Sequence, residues 1–166
     1  MRIIACAATC ALLVLSSVTA SAQGTKVPKR DADVARGRYL VKIGGCNDCH
    51  TANYEERAGA VPENEWLTGV PVGFQGPWGT TYAANLRLVI GALTEEQWMK
   101  RAREALRPPM PWFNLRDMTN SDLRAIYRYV KSLGPAGQPA PAYVPPGEKV
   151  ATPFIVLDPP NLPAAR

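Results

Sequence analysis

Two cysteines and a histidine occur together at Cys46, Cys49 and His50, and His50 is the only histidine among the 166 residues. The spacing Cys-x-x-Cys-His is the attachment sequence of a c-type haem. In this chemistry each thiol adds to one vinyl group of the haem and forms a thioether, while the adjacent imidazole coordinates the iron. The sequence therefore predicts one covalently attached haem c, bound through Cys46 and Cys49, with His50 as an iron ligand.

Two other uses of such a cysteine pair are less favoured. A structural zinc ion needs four ligands of the cysteine or histidine type, whereas the exported chain expected below keeps two cysteines and one histidine. A thioredoxin-like redox pair opens a helix after a strand in a βαβ unit. The residues before Cys46 have a helical pattern and no βαβ alternation follows, so haem attachment is the preferred interpretation.

The second axial position of the iron cannot be filled by another histidine, which leaves methionine, lysine or an open site. Met99 lies inside a predicted helix beside Trp98, and Met118 precedes a predicted helix start, where it would pack against Leu123. Met110 has no such packing role, because it lies between prolines in the stretch PPMPW. Prolines fix the backbone of such a loop, so Met110 is the preferred ligand, ahead of Met118.

The N-terminus predicts export. A basic start at Arg2 is followed by a run of apolar and small residues, and the small residues 20–22 offer a cleavage site. We expect residues 1–22 to be a signal peptide and the mature protein to be periplasmic. The run is shorter than the roughly 18 residues that favour a membrane-spanning helix. Contact with a membrane would then require an uncleaved signal or association with a partner.

The charge of the exported chain excludes one class of partner. Removal of the signal peptide leaves 18 basic and 14 acidic side chains, spread along the chain. This mild excess does not predict nucleic-acid binding, but it suits docking to an acidic protein surface. Arg103, Arg107 and Arg116, near the preferred methionine, could form such a docking surface or a merely solvated face.

The elements that must position these residues are expected to be few and helical. Asp31 or Asp33 can cap a first helix, which ends at Gly44 just before the cysteines. Residues 54–92 show no sustained period and are rich in glycine and proline, so turns and loop are expected there.

Two further helices follow this loop. Thr94 and Gln97 form a capping box for a helix to about Leu106. Thr119 caps the next helix, which carries an apolar stripe and closes at Gly134. So few helices make a poor core unless a bulky ligand fills the middle of the fold.

The chain divides into four expected regions. Residues 1–22 are the signal peptide, residues 23–32 a leader and residues 33–134 the haem domain. Residues 135–166 form an extended, proline-rich tail that holds nine of the 16 prolines. The tail could wrap the domain, bind a partner or be disordered.

Residues 33–134 contain a set of short motifs, namely GRYL from Gly37, CNDCHT from Cys46, WGTTYAANL from Trp78, LTEEQW from Leu93, PMPW from Pro109 and DLRAIYRYV from Asp122. In these motifs the chain resembles the class I c-type cytochromes, specifically the exported bacterial monohaem domains similar to the cytochrome subunits of alcohol dehydrogenases.

This resemblance implies a fold and additional site residues. The fold is all-α, a cytochrome c fold of three to four short helices and long loops around one haem, with His50 and Met110 as axial ligands. Trp78, Tyr82 and Asn85 are implied to bind the haem propionates, although a packed tryptophan and two turn residues explain them equally well. The loop after His50 departs from the family, because it offers no evident partner for the imidazole N–H.

A haem with two protein ligands has no open position for oxygen or peroxide, so its chemistry is the gain and loss of one electron. We therefore expect an electron-transfer haem protein and not an enzyme. Its redox partners would be a dehydrogenase as donor and an oxidase or another cytochrome as acceptor. The alternative is a haem enzyme or a gas or peroxide sensor, in which the sixth ligand is absent or displaceable.

Overall fold

A computed structural model of the chain describes residues 28–157. The expected signal peptide, the first half of the leader and the end of the tail lie outside these residues. Within them the chain is largely helical, as expected, with more and shorter helices than expected and one small sheet. The elements are α1 (Lys29–Ile43), α2 (Cys46–His50), β1 (Gly73–Gly76), β2 (Gly79–Tyr82), α3 (Leu86–Gly91), α4 (Glu95–Arg101), α5 (Trp112–Asp117), α6 (Asn120–Leu133) and β3 (Phe154–Val156).

The first and last helices, α1 and α6, pack closely against each other. They meet at Gly37, where a methyl group would overlap the carbonyl oxygen of Ala125 and lie 2.7 Å from Cβ of Tyr129. The absence of a side chain at Gly37 therefore allows the two backbones to approach. The apolar face of α6 forms the centre of the core, with Leu123, Ile126 and further residues almost fully buried.

The helix starts test the predicted caps. Thr119 accepts a hydrogen bond from the Asp122 amide at the start of α6, as expected. At α1 the prediction was wrong, because the N-cap is Pro28 and the helix begins at Lys29. Proline fixes φ close to the value needed to enter a helix, so the helix starts before either aspartate and includes residues assigned to the leader.

The helix α4 has the predicted capping box, in which the side chains and backbones of Thr94 and Gln97 bond reciprocally. It ends at Arg101, about five residues before the expected end near Leu106. The chain turns after Arg101, and the guanidinium of Arg103 donates 2.8 Å to the carbonyl of Met118. This tie draws the segment out of the helical path.

The region expected to hold only turns and loop contains two strands and one α-helix. The strands β1 and β2 form an antiparallel hairpin in which Phe74 pairs with Thr81. Asn85 then caps α3, its side chain accepting from the Leu88 amide at 3.1 Å. Each of these elements spans only four to six residues, which is too short for a period to be visible in the sequence.

The proline-rich tail packs on this hairpin. The strand β3 pairs in parallel with β1, with Gly73 opposite Phe154. Thr80 and Val144 exchange backbone hydrogen bonds of 2.8 and 3.0 Å. The side-chain amide of Asn85 donates to the carbonyl of Ala136 at 2.7 Å. These contacts hold the described part of the tail against the hairpin and the start of α3.

Arg87 is only 6% exposed, and its guanidinium joins three parts of the fold. It donates to the carbonyl of Gly134 at 2.7 Å and of Asn64 at 2.6 Å, and also to that of Leu133. These carbonyls include the C-terminal end of α6, where a cation is favourable.

In residues 28–157 no helix is long and apolar enough to cross a membrane.

The Gly37→Ala substitution should lower the free energy of unfolding by about 3 kcal/mol or more, because the added methyl group forces α1 and α6 apart. The matched control is Gly91→Ala at the end of α3, where an added methyl group meets no atom within 4 Å. That change should leave stability unchanged or raise it by up to about 1 kcal/mol. Unfolding of the haem-loaded variants in guanidinium chloride measures both changes in the free energy of unfolding. Equal changes for Gly37→Ala and Gly91→Ala would contradict the close crossing of the helices.

Candidate haem site

The helix α2 presents the two cysteines and the histidine on a single short turn. Helix α1 ends before Gly44, and Gly45 takes a left-handed conformation with φ of 69°. Glycine adopts this conformation without steric cost, so the chain can change direction and begin α2 at Cys46. Cys46 and Cys49 are one helical turn apart, and both are free thiols.

The two thiols lie in an environment that favours their neutral form. Burial raises the pKa of the Cys46 thiol to about 11. The pKa of Cys49 is also raised, first by burial and then by the negative charges of Asp48 and Glu55. Both thiols are therefore protonated near neutral pH, and they bring no net charge to the apolar space that they border.

The imidazole of His50 is buried and oriented by a backbone carbonyl. Its Nδ1 lies 2.7 Å from the carbonyl oxygen of Ala84. Because a carbonyl oxygen only accepts, Nδ1 must carry the hydrogen, and the lone pair of Nε2 remains available to a metal. Burial lowers the pKa of His50 against the opposing effect of this hydrogen bond, which favours the neutral ligand form. The partner that the sequence lacked is therefore a main-chain group.

A hydrogen-bonded network supports α2 from behind. The hydroxyl of Thr51 donates to Oδ1 of Asn47 at 2.8 Å and accepts from the amide of Leu67 at 2.8 Å. The carbonyl of His50 accepts from the amide of Gly69 at 2.8 Å. All of these contacts join α2 to the loop that follows it. The position of His50 is thus fixed from its backbone as well as from its ring.

A cavity of about 1130 Å³ lies beside these residues, slightly larger than most ligand pockets. Its wall combines the α2 turn, β2, the segments from α3 to α5, the inner face of α6 and part of the tail. Most of the wall is apolar. It includes Cys46, Cys49, His50, Val41, Leu67, Tyr82, Leu86, Ile90, Trp98, Leu106, Met110, Met118, Ile126, Val130, Pro141 and Tyr143.

Two of the three candidate methionines line this cavity. Met110 and Met118 belong to the wall, whereas Met99 packs against the core away from it. Met118 also packs against the core, as expected from its position before α6. The loop of Met110 is tied to β2, because the hydroxyl of Thr81 donates to the carbonyl of Pro108 at 2.7 Å. The structure thus places Met110 and His50 around the same space.

The three residues expected at the propionates have different surroundings. Tyr82 lines the cavity, and its hydroxyl lies 2.6 Å from that of Thr152. Trp78 is outside the wall, and its buried indole N–H has no hydrogen-bond partner in the part of the chain that the structure describes. The side-chain amide of Asn85 is engaged by the tail and by α3.

The arginines proposed for a docking surface are all engaged locally. Arg103 donates to main-chain carbonyls of Leu115 and Met118. Arg116 pairs with Asp117 at 2.8 Å, and Arg107 lies on the ring of a tail tyrosine. These contacts explain their positions without an external partner.

The donor set and the cavity fit a covalently attached haem. Two neutral thiols and an oriented imidazole lie at the edge of a large apolar space, with a thioether on another part of its wall. These features define a protein of the c-type haem class. The cytochrome c family profile matches residues 34–134, which is more than half of the chain. The chain therefore belongs to the cytochrome c family, and its cofactor is haem c.

Several relatives are subunits of dehydrogenases. The cytochrome c subunit of the quinone alcohol dehydrogenase of Gluconacetobacter polyoxogenes is 28% identical over 124 residues, covering 66% of this chain and 24% of the relative. The cytochrome subunit of the fructose dehydrogenase of Gluconobacter japonicus is 26% identical over 145 residues, covering 78% and 28%. The gluconate 2-dehydrogenase cytochrome c subunit of Pantoea cypripedii is 29% identical over 110 residues, covering 60% and 23%.

These comparisons confirm the resemblance that the motifs indicated. The relatives named above are cytochrome subunits of dehydrogenases. The chain spans about a quarter of the length of these relatives. No solved structure matches it significantly.

The Thr51→Val substitution should lower the free energy of unfolding by about 2–4 kcal/mol, because the buried Leu67 amide and the Asn47 side-chain oxygen lose their partner. The matched control is Thr68→Val. The hydroxyl of Thr68 donates to the carbonyl of Glu65 near the surface at 3.0 Å, and its removal should cost less than about 1 kcal/mol. Urea titration of the haem-loaded variants compares the two. A loss at Thr51 no larger than that at Thr68 would contradict the role of the network.

Proposed function

We propose that the chain is an exported, periplasmic monohaem cytochrome that carries single electrons between redox proteins. In this proposal Cys46 and Cys49 hold the haem as thioethers, and His50 and Met110 are the axial ligands. The haem supplies an iron centre that cycles between its ferrous and ferric states. The observation that carries the proposal is that a neutral, oriented imidazole and the Met110 side chain border one large apolar cavity.

Met110 is preferred over Met118 because of how each is held. Met118 already contributes to the core, and its carbonyl is bound by Arg103. Met110 is not part of the buried core, and its loop is stiffened by flanking prolines and by the bond from Thr81 to Pro108. A stiff loop lowers the entropic cost of keeping a weak thioether ligand in place.

The arrangement of these residues favours electron transfer over catalysis on a bound molecule. With His50 and Met110 holding the iron, no position would remain open to water, oxygen or peroxide. The carbonyl of Ala84 holds His50, and the carbonyl of Pro108 is held by Thr81. Both ligand segments can therefore keep their positions in both redox states. A thioether ligand also raises the reduction potential.

The propionate side is proposed around Tyr82 and Trp78. Tyr82 belongs to the cavity wall, whereas Trp78 lies outside it and has a buried N–H donor without a partner among residues 28–157. Asn85 was expected to share this role, but its side-chain NH₂ donates to the carbonyls of Ala136 and Gln138. Any contribution of Asn85 is then indirect, through the position of the tail.

The sequence and the relatives support the proposed location and partners. Residues 1–22 have the pattern of a signal peptide, and haem c is attached outside the cytoplasm. The relatives named above are cytochrome subunits of alcohol, fructose and gluconate dehydrogenases. We propose a dehydrogenase as electron donor and an oxidase or another cytochrome as acceptor, with any membrane contact made through a partner or an uncleaved signal.

The Met110→Ala substitution should remove the weak methionine-to-iron band at the red edge of the ferric spectrum. It should also speed carbon monoxide binding to the reduced protein by at least about tenfold, because the sixth position becomes open. Met118→Ala is the matched control, since it removes the other methionine of the cavity wall, and it should keep both properties of the wild type. Visible spectroscopy and stopped-flow mixing with carbon monoxide provide the measurements.

Two results would overturn parts of this proposal. Loss of the band in Met118→Ala, with its retention in Met110→Ala, would transfer the axial role to Met118. Rapid carbon monoxide binding by the wild-type protein would instead favour a sensor or a haem enzyme with a displaceable ligand.

A further inference from the structure

The proline-rich tail contributes to the cavity although it lies outside the matched family region, residues 34–134. Pro141 and Tyr143 both belong to the cavity wall. The hydroxyl of Tyr143 donates to the carbonyl of Trp78 at 2.7 Å. The next residue, Val144, bonds to the backbone of Thr80 in both directions. Tyr143 is thus held at the cavity by its own side chain and by its neighbour's backbone.

Arg107 lies on the ring of Tyr143, with its guanidinium carbon 4.0 Å from the ring centroid. It is an exposed residue that also belongs to the cavity wall, so it lies at the rim. The other cationic residue of the wall, Arg101, is paired with Glu104 at 3.0 Å. Among the ion pairs within residues 28–157, none involves Arg107.

A guanidinium at the rim of an apolar cavity, without a carboxylate partner from residues 28–157, is suited to an anionic group of the ligand. Guanidinium groups bind carboxylates through two parallel hydrogen bonds. The propionates are the carboxylates of haem, which is the cofactor of this family. The attraction between a guanidinium and the face of an aromatic ring limits the movement of the guanidinium, which reduces the entropy lost when it binds.

We propose that Arg107, oriented by Tyr143, binds a haem propionate, so that the proline-rich tail completes the haem site. This inference rests on the proposed haem attachment at Cys46 and Cys49. Tyr143 acts here as a positioning residue. Its ring contacts Arg107, and its hydroxyl holds the ring in place by donating to the carbonyl of Trp78. A positive charge held beside the haem favours the ferrous form, which carries one positive charge less than the ferric form.

The first test is the reduction potential of the haem-loaded Arg107→Gln variant, measured by spectroelectrochemistry. Loss of the charge should lower the reduction potential, because it shifts the equilibrium toward the ferric form by about three- to tenfold. A tenfold shift corresponds to 59 mV for a one-electron couple. Arg107→Lys keeps the charge and should stay within about twofold of the wild type. Arg116→Gln removes a cation that pairs with Asp117 outside the cavity wall and should also stay within about twofold.

The second test addresses the tail. Tyr143→Ala should shift the potential in the same direction as Arg107→Gln, whereas Tyr143→Phe keeps the ring and should shift it less. In the double variant Arg107→Gln with Tyr143→Ala, the shift should not exceed that of Arg107→Gln alone, because Tyr143 acts only through Arg107. Additive shifts would overturn the positioning role of Tyr143.

The outcomes separate this inference from the proposed function. The pyridine haemochrome spectrum and the red-edge ferric band show, on the same samples, whether haem is attached and methionine-bound. A wild-type protein without attached haem would contradict the proposed function. If haem is attached and methionine-bound but the potential of Arg107→Gln equals that of Arg116→Gln, the assignment of Arg107 is wrong and the proposed function still stands.

Discussion

The close crossing of α1 and α6 at Gly37 is the constraint on which the haem site depends. Helix α1 leads directly into the α2 turn with Cys46 and His50, and α6 begins immediately after the methionine-bearing segments. Val41 of α1 and Ile126 of α6 both belong to the cavity wall. Because the two backbones meet without an intervening side chain, this one packing contact sets the distance between the α2 turn and the cavity-facing side of α6. A wider crossing would move the α2 turn away from α6.

Main-chain carbonyls do most of the positioning around the site. The carbonyl of Ala84 orients His50, that of Pro108 is held by Thr81, and that of Met118 is held by Arg103. Such bonds fix the two sides of the cavity before any ligand enters it, which lowers the entropic cost of binding. They also resist movement when the charge of the bound centre changes. For an electron carrier this resistance is useful, since little structure must rearrange with each electron.

The sequence could predict those features that depend on residue type and local spacing. The Cys46–His50 motif and the caps at Thr94 and Thr119 are of this kind, and the caps agree with the structure. The partner of His50 could not be predicted, because a backbone carbonyl such as that of Ala84 has no residue-type signal. The pairing of Gly73 with Phe154 joins residues far apart in sequence, and strands so short show no detectable period.

The site also explains why the chain can fold around so small a core. The cavity wall is assembled from distant segments, with Leu67 before the hairpin, Tyr82 within it, Trp98 in α4 and Tyr143 in the tail. A haem bonded to Cys46 and Cys49 stays on the chain when it unfolds, but its apolar contacts with these segments form only in the folded chain, so those contacts add to the stability of the fold. The described part of the tail shares in this coupling, because Pro141 and Tyr143 belong to the wall. Its strand β3 is exposed along its whole length, so hydrogen bonds to the hairpin and the contact at Tyr143 hold it, with little apolar burial of its own. Order in the tail and occupation of the site should therefore stabilise each other.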